Sequence, residues 1–365
     1  MTAKFSVQEG TIPFRSYHTW YRIVGEDSPG RLPLLCLHGG PGAPHDYLEP
    51  LEDLAATGRR VIFYDQLGCG NSDHVHDPAL WTVDLFVEEL GVVRKALALD
   101  ALHILGQSWG GMLAMQYALT QPRGVASLVI ADSPASMPQW VAEANRLREA
   151  LPPDVQATLV KHEAEGTTSD PEYVAAMMVF YRRHVCRLDP WPECVQRTMD
   201  KLAEAPEVYN TMNGPSEFHV IGKLKDWDIV ARLGEIHIPT LILSGRYDEA
   251  TPLIAETVHQ GIGGSEWVLF EESSHMPHVE ETEHCLSVVR DFLRRVEVRM
   301  AGGEDEGLET GDVLLGEPKE YTVHTTRELR PEPGERKIHP RRPAPTVPRG
   351  DDVPDKSPSP PTEPE

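Results

Sequence analysis

The chain has 365 residues, of which 40% are hydrophobic and 25% are charged, and its formal net charge at pH 7 is -23. This composition is typical of a globular protein that can bury a sizeable core. The negative charge disfavours nucleic acid and anionic membranes as partners, because both would be repelled.

Neither end of the chain nor its thiols suggest export. We find no apolar stretch long enough to span a bilayer, and the N-terminus lacks the basic and apolar regions of a signal peptide. The five cysteines are scattered, odd in number and without zinc-ligand spacing. We therefore expect a cytoplasmic protein with reduced thiols and without a metal or cofactor.

Short apolar runs alternate with helical patterns up to about residue 298. Helical spacing marks Val83–Leu99 and His284–Val296. The predicted strands are an edge hairpin of Phe5–Val7 with Ser16–Val24, then Leu34–Leu37, Arg60–Tyr64, His103–Leu105, Ser127–Ala131, Pro239–Ser244 and Glu266–Phe270. Brief apolar strands that alternate with helices predict an α/β protein with a mostly parallel sheet flanked by helices.

Two regions depart from this alternation. Residues 134–233 hold helix-like stretches rich in aromatic residues and Met, which predict a helical cap inserted between two core strands. Residues 299–365 are rich in Pro and Glu and contain neither Trp nor Phe; such a segment cannot offset its ordering entropy by burial. The predicted domains are a core of residues 1–133 and 234–298, a cap of residues 134–233 and a disordered tail of residues 299–365.

A G-x-S-x-G motif, Gly106-Gln107-Ser108-Trp109-Gly110, follows one predicted strand and precedes a helix. This is the context that the motif requires, because its glycines permit a sharp turn without Cβ clashes. The turn is expected to present Ser108 as a nucleophile at the edge of the sheet.

A serine nucleophile needs a base, and the base needs an acid to orient it. Asp248 follows one predicted strand and His275 follows the next, so both are expected at the carboxyl edge of the sheet, where α/β proteins place their sites. Asp132 also follows a strand and is the second-ranked candidate for the acid. His278 lies toward the following helix, where we expect a surface or capping role.

The sequence His38-Gly39-Gly40-Pro41-Gly42 follows another predicted strand. Glycine-rich backbone can approach a reacting carbonyl closely, so we predict an oxyanion hole made by the amides of Gly40 and Trp109. His38 is expected to shape this loop, and the segment Asp65–Ser72 to support the site as a structured turn.

Together HGGPG, YDQLGCGNSD, GQSWGG, SGRYDEATP and the SSH ending resemble the proline iminopeptidases, close to the amino-acid amidases. The resemblance covers about residues 5–297 and, at Thr211–Phe218 and Lys225–Asp228, extends to cap motifs of the tricorn-interacting aminopeptidase type. It implies an α/β-hydrolase fold and the removal of an N-terminal residue, often proline, from short peptides. It also implies that Glu217 and Glu249 bind the free ammonium group of the substrate.

The leading hypothesis is therefore a serine hydrolase that releases proline, or another small or apolar residue, from short peptides or amino-acid amides through an acyl-enzyme on Ser108. The alternative is an amidase or esterase for small non-peptide acyl compounds. A non-catalytic binding protein is disfavoured by the intact set of Ser, Asp and His. The oligomeric state and the role of the tail stay open.

Overall fold

The computed structural model describes residues 5–303 and the backbone of residues 323–325. Nine strands form one sheet, and their bounds in chain order are β1 Val7–Phe14, β2 Tyr17–Val24, β3 Leu34–Leu37, β4 Val61–Asp65, β5 Leu102–Gln107, β6 Val125–Ala131, β7 Thr240–Gly245, β8 Glu266–Phe270 and β9 Val323–Thr325. The order across the sheet is β1-β2-β4-β3-β5-β6-β7-β8-β9. The strands from β4 to β8 in this order are parallel, while β1, β2 and β9 pair antiparallel.

Ten α-helices connect or follow these strands. Their bounds are α1 Val83–Ala96, α2 Trp109–Ala118, α3 Met137–Arg148, α4 Pro153–Glu165, α5 Pro171–His184, α6 Glu193–Glu204, α7 Glu207–Met212, α8 Pro252–Gly261, α9 Pro277–Glu280 and α10 Thr282–Met300. Two 3₁₀ segments, His45–Thr57 and Val230–Glu235, complete the described elements. No helix within these described residues is both long and apolar enough to cross a bilayer.

The central strands β3, β4, β5 and β7 are buried along their whole length. Helix α2 packs against β5, α8 against β7 and α10 against β6. Since alternate side chains of a strand point to opposite faces, the complete burial of these strands means that both faces of the parallel sheet are covered. This explains the continuous apolar runs in the sequence, since a strand buried on both faces has no polar side to alternate with. The expected α/β-hydrolase architecture is confirmed.

The cap consists of α3–α7 and lies in the chain between β6 and β7. Its two ends are joined where Ser136 and Asp228 form an isolated β-bridge. The Ser136 hydroxyl donates to Asp228 Oδ2 at 2.7 Å and also accepts from the amide of Gln139 as the N-cap of α3. Because the two ends of the insertion meet at this bridge, β6 and β7 remain neighbours in the sheet.

Most of the predicted tail, residues 299–365, lies outside the described residues. Helix α10 continues to Met300, beyond the predicted boundary at residue 298, and the chain then turns at Gly302, whose φ is 77°. Val323–Thr325 form β9 on β8. An edge strand offers unpaired backbone groups to any extended segment, so this pairing needs no apolar pattern in the sequence.

Candidate active site

Ser108 lies in the turn between β5 and α2, with φ 55° and ψ −123°, a backbone conformation that residues other than glycine rarely adopt. Neighbouring backbone comes so close to this turn that the two glycines of the motif leave no space for a Cβ atom. A Cβ on Gly110 would lie 2.1 Å from the Leu37 carbonyl oxygen, and one on Gly106 would lie 2.2 Å from that of Gly110. Any larger residue at these two positions would clash with the backbone, so both must be glycine.

His275 and Asp248 meet at the carboxyl ends of β8 and β7. The Nδ1 nitrogen of His275 lies 2.6 Å from Asp248 Oδ1, and that oxygen also accepts from the amide of Ala250 at 2.8 Å. Burial alone would lower the pKa of His275, but the charge and hydrogen bond of Asp248 outweigh it and raise the pKa. The pair thus forms a base whose protonated form is stabilised by a buried acid.

A chain of hydrogen bonds connects the nucleophile turn to the histidine loop. Gln107, which precedes Ser108, donates through Nε2 to the His275 carbonyl oxygen at 2.8 Å. Its Oε1 accepts from the Tyr47 hydroxyl at 2.6 Å, and Tyr47 accepts from the amide of Gly39 at 2.7 Å. Sequence reasoning missed Tyr47, because nothing in a 3₁₀ segment 60 residues away marks it as a partner of Gln107.

The HGGPG loop places Gly40 beside Ser108 and Trp109 at the wall of one pocket. The amide of Gly39 is engaged by Tyr47, so Gly40 is the better placed of the two glycines to donate elsewhere. Trp109 is the first residue of α2, and the first amides of a helix have no acceptor within it. These two amides are the predicted oxyanion donors.

His38 is fully buried and its Nε2 accepts from the amide of Gln66 at 2.9 Å. Burial lowers its pKa to about 4, which suits a neutral ring that holds the loop. Asp65 accepts from the amides of His45 and Asn71 and therefore supports its turn. Both arrangements agree with the roles expected from the sequence.

The surface role expected for His278 is wrong. His278 is 4% exposed and its Nε2 donates to the Tyr47 carbonyl oxygen at 3.1 Å. Burial lowers its pKa to about 3. It lies inside because α9 turns back over the 3₁₀ segment that carries Tyr47, a packing that the local sequence does not reveal.

Glu249 follows Asp248 directly and is 1% exposed. Its Oε1 lies 3.8 Å from His275 Nε2, and neither of its oxygens accepts a hydrogen bond from the described residues. The backbone amide of Glu249 donates to the carbonyl oxygen of His184 at the end of α5, so the cap helps to hold this carboxylate at the site.

Glu217 comes from the cap and lines the pocket beside Ser108. Its side chain accepts from the Tyr209 hydroxyl at 2.7 Å, its backbone amide donates to the Tyr181 hydroxyl at 3.3 Å, and its carbonyl oxygen accepts from the indole of Trp140 at 2.7 Å. Trp140 also packs edge-on against the ring of His275. The aromatic richness of the cap was visible in the sequence, but these partnerships were not.

The two glutamates form an acidic pair, and the cationisable side chain beside them is the ring of His275. Burial raises the pKa of Glu217. Burial, and then the charges of Glu217 and Asp248, raise that of Glu249 well above its ordinary range. A desolvated carboxylate pair of this kind favours a cationic ligand, since the cation would supply the missing charge.

A pocket lies in front of Ser108. Its walls are mostly apolar, with the three polar side chains of Ser108, Asn213 and Glu217, and consist of Gly40, Ser108, Trp109, Met112, Pro134, Met137, Trp140, Asn213, Glu217 and Leu224.

One group of potential metal ligands occurs in the described part of the chain. His162, Asp170 and Glu172 bring three ligand atoms within 4.8 Å of one another on α4 and at the start of α5. None of them lines the pocket. The arrangement around Ser108 can therefore be described through side chains and backbone amides alone.

Comparison with known proteins gives consistent matches. Residues 33–282 match the α/β hydrolase fold family. The chain is 42% identical to the proline iminopeptidase of Lactobacillus helveticus over 289 residues, which cover 78% of this chain and 97% of that protein.

Two crystal structures are similar over most of the fold. VinJ is 46% identical with a TM-score of 0.78, covering 79% of this chain and 99% of its own. The proline iminopeptidase of Mycobacterium smegmatis is 43% identical with a TM-score of 0.75, covering 80% of this chain and 100% of its own. With the family match and these relatives, the chain belongs to the proline iminopeptidase family of α/β hydrolases.

Proposed function

We propose that this protein is a serine aminopeptidase that releases an N-terminal residue, with proline preferred, from short peptides or amino-acid amides. The observation that carries the proposal is the buried carboxylate of Glu249, without a hydrogen-bond donor among the described residues and 3.8 Å from Nε2 of His275. A carboxylate so placed favours a substrate that brings its own ammonium group to the base.

In the proposed reaction, Ser108 Oγ attacks the carbonyl carbon of the first residue while His275 accepts the hydroxyl proton. Asp248 stabilises the imidazolium through Nδ1. The amides of Gly40 and Trp109 donate to the oxyanion, and loss of one such donor typically costs about 10²–10³ in rate.

Collapse of the tetrahedral intermediate breaks the amide bond, and His275 gives its proton to the leaving amine. The first residue is then an ester on Ser108. A water molecule, deprotonated by His275, attacks this ester and releases the free amino acid, with the proton returning to Ser108. Each step uses only groups of this chain, the substrate and water.

Glu217 and Glu249 would restrict the enzyme to the chain terminus. A peptide α-amine has a pKa of about 7.7–8.0 and is largely protonated at neutral pH. Bound between the two carboxylates, it places the first carbonyl, and no later one, before Ser108. The apolar pocket lined by Met112, Met137 and Leu224 is then left for the first side chain.

Prolyl-anilide, N-acetyl-prolyl-anilide and alaninamide test this proposal, with Ser108→Ala as the control for background hydrolysis. We expect turnover of the two free-amine compounds, faster for proline, and none of the acetylated one. Equal turnover of the acetylated compound would remove the ammonium site and favour the alternative, an amidase or esterase for non-peptide acyl compounds. Full activity of Ser108→Ala would remove the mechanism itself.

The same proposal places the enzyme in the cytoplasm. Its support is the odd, scattered set of five thiols, four of them buried, which suits a reducing compartment. Cell fractionation followed by detection of the protein would test it, and recovery from the exterior would contradict it.

A further inference from the structure

Asp132 is a buried acid that the proposed reaction does not use. It follows β6, and its amide donates to the carbonyl oxygen of Leu243 in β7 at 2.9 Å. Its φ is 52°, in the left-handed region that few residues other than glycine adopt. This backbone brings its carboxyl group within hydrogen-bonding reach of that of Asp248, and both residues are 1% exposed.

Three oxygens of this carboxyl pair accept no well-aligned hydrogen bond from the described residues, although the amide of Gly245 faces Asp132 and acts to lower its pKa. They are both oxygens of Asp132 and Oδ2 of Asp248. By contrast, Oδ1 of Asp248 accepts from His275 and from the amide of Ala250. Two adjacent ionised carboxylates in a dry interior would repel each other and leave these oxygens unsatisfied, which is costly.

The surroundings supply one cation at most. The groups that face this pair from the β7–α8 loop, the His275 loop, α9, the 3₁₀ segment and α10 are Glu249, His275, His278, Glu280, Tyr47 and Cys285. Of these, His278 bonds Tyr47 as a neutral ring, and His275 is already engaged by Asp248. One imidazolium cannot balance both aspartates and the neighbouring glutamates.

We propose that Asp132 remains a neutral carboxylic acid and donates its hydrogen to Oδ2 of Asp248, so that it is a positioning residue that acts on His275 through Asp248. The inference rests on the proposed function in taking Asp248 as the acid that orients the base. The hydrogen of Asp132 gives Oδ2 of Asp248 its missing donor. The carboxyl pair then carries one negative charge, and not two, beside the imidazole of His275.

Two consequences follow for the base. Asp248 is held from both sides, by Ala250 and His275 at Oδ1 and by Asp132 at Oδ2, so its plane is fixed relative to the ring. Burial, followed by the charge and hydrogen bond of Asp248, raises the pKa of Asp132 well above its ordinary range, which agrees with a group that stays protonated while the enzyme works.

The test uses Asp132→Asn and Asp132→Gly. Both residues tolerate a positive φ, but only Asn keeps a neutral donor of the same size. The readout is the rate at which a fluorophosphonate labels Ser108, measured against pH. This rate reports the base and its acid, and it needs no knowledge of the peptide substrate.

We expect the labelling rate of Asp132→Asn to lie within about threefold of that of the natural protein. The acid limb of its pH profile, where the rate falls as pH is lowered, should be unchanged. Asp132→Gly should label about tenfold more slowly, because Oδ2 of Asp248 loses its hydrogen-bond donor. Its acid limb should move to higher pH, because Asp248 then carries a less stabilised charge toward His275. An Asn variant whose acid limb moves to lower pH would show that Asp132 is ionised, and a Gly variant like the natural protein would show that it does nothing; either result overturns the proposal.

Infrared difference spectroscopy gives a readout that is independent of activity. The spectrum of the natural protein minus that of Asp132→Asn at neutral pH should show the carbonyl stretch of a buried protonated carboxyl group, while bands that both proteins share, such as that of the buried Glu89, cancel. Absence of the band from this difference spectrum overturns the proposal even if peptides are cleaved as expected. Conversely, a protein that labels Ser108 but ignores prolyl substrates would leave this inference standing while the proposed function fails.

A double variant separates positioning from a second, independent acid. Asp248→Asn should lower the labelling rate by about 10³–10⁴, as loss of the acid does in comparable triads. Adding Asp132→Gly, which alone slows labelling about tenfold, should then change little, because the two residues act as one unit. A further large loss in the double variant would mean that Asp132 serves His275 directly.

Discussion

Glu249 Oε1 lies 3.8 Å from Nε2 of His275, while the preceding residue, Asp248, contacts Nδ1 of the same ring at 2.6 Å. Two consecutive side chains of one loop therefore face opposite edges of the imidazole. The loop is held by the bond from Ala250 to Asp248 and by the bond from Glu249 to the carbonyl oxygen of His184. The acid that orients the base and the carboxylate that would hold the substrate amine are thus fixed relative to each other by backbone.

Substitution of Glu249 by Gln should weaken binding of free-amine substrates more than it slows catalysis. An amide has nearly the same shape but no charge, and a hydrogen bond to a charged partner is worth about 1.5–3 kcal/mol. We expect KM for prolyl-anilide to rise about 10–100-fold, with kcat changed far less. Labelling of Ser108 by a fluorophosphonate, which has no amine, should be nearly unchanged; an equal loss there would indicate damage to the base.

Removal of the Tyr209 hydroxyl should move the pH dependence of KM. The hydrogen bond from Tyr209 to Glu217 lowers the pKa of that carboxyl group and opposes the effect of burial. In Tyr209→Phe the pKa of Glu217 rises, so Glu217 stays protonated to higher pH and cannot pair with an ammonium group there. As pH is lowered, KM for prolyl-anilide should therefore begin to increase at a higher pH in Tyr209→Phe than in the natural enzyme.

Tyr173→Phe is the matched control for this experiment. It removes another buried cap hydroxyl, which contacts Ser216 and not the side chain of Glu217. Equal shifts in both variants would attribute the effect to general loosening of the cap. A Tyr209→Phe enzyme with an unchanged pH profile would contradict the role given to Glu217.

Much of this site could be predicted because parallel sheets place function at strand ends. Ser108, Asp248 and His275 each come shortly after an apolar run, and a short run that ends in polar residues is visible in the sequence. Glu217 has no such local signal, and its prediction came from resemblance. It reaches the pocket through bonds with Trp140, Tyr181 and Tyr209.

What could not be predicted depends on contacts between distant segments. Tyr47 reaches Gln107 across 60 residues, and His278 reaches the Tyr47 backbone across 231. Neither contact alters local periodicity, since an aromatic residue or a histidine fits a core position equally well in many arrangements. Asp132 could be placed at a strand end, but whether it was an acid for the base or a partner of Asp248 depended on the geometry of two neighbouring loops.

Glu89→Gln should make the protein less sensitive to rising pH. Glu89 on α1 is fully buried; its Oε1 accepts from Thr19 and from the amide of Leu67, while Oε2 has no donor among the described residues. Burial raises its pKa from 4.5 to about 8. Between these values the unfolded chain is ionised and the folded protein is not, so ionisation opposes folding and stability falls as pH rises, by about 1.4 kcal/mol per unit.

Urea unfolding at several pH values between 5.5 and 7.5 measures this effect. The stability gap between Glu89→Gln and the natural protein should change in favour of Gln by about 1 kcal/mol per pH unit. Glu88→Gln, next along the helix, alters an exposed pair with Arg15 and should leave the pH dependence unchanged. Parallel stability curves for Glu89→Gln and the natural protein would show that Glu89 is ionised in the fold.

Ionisation of Glu297 on α10 should have the opposite effect on stability, because it favours the folded protein. It is 7% exposed and accepts from Arg59, Arg31 and the amide of Leu32. Burial alone would raise its pKa, but the hydrogen bonds from His103, Leu32 and Arg31 and the charge of Arg59 outweigh it and lower the pKa to about 2. Its stabilisation is therefore fully present above pH 4.5 and is lost as pH falls toward 2, by about 2 kcal/mol after allowance for solvent screening.

Glu297→Gln should lower the free energy of unfolding by more than this pH-dependent contribution. The reason is that it leaves the buried Arg59, which is 1% exposed, with an uncompensated charge. Breaking a buried pair in this way typically destabilises by about 3–5 kcal/mol. Urea unfolding at pH 7 measures the loss, and the variant should also be less sensitive to acid than the natural protein. Glu235→Gln, which breaks the exposed pair with Arg232, should leave the free energy of unfolding nearly unchanged; a similarly small change in Glu297→Gln would mean that α10 is held to the sheet by its apolar face alone.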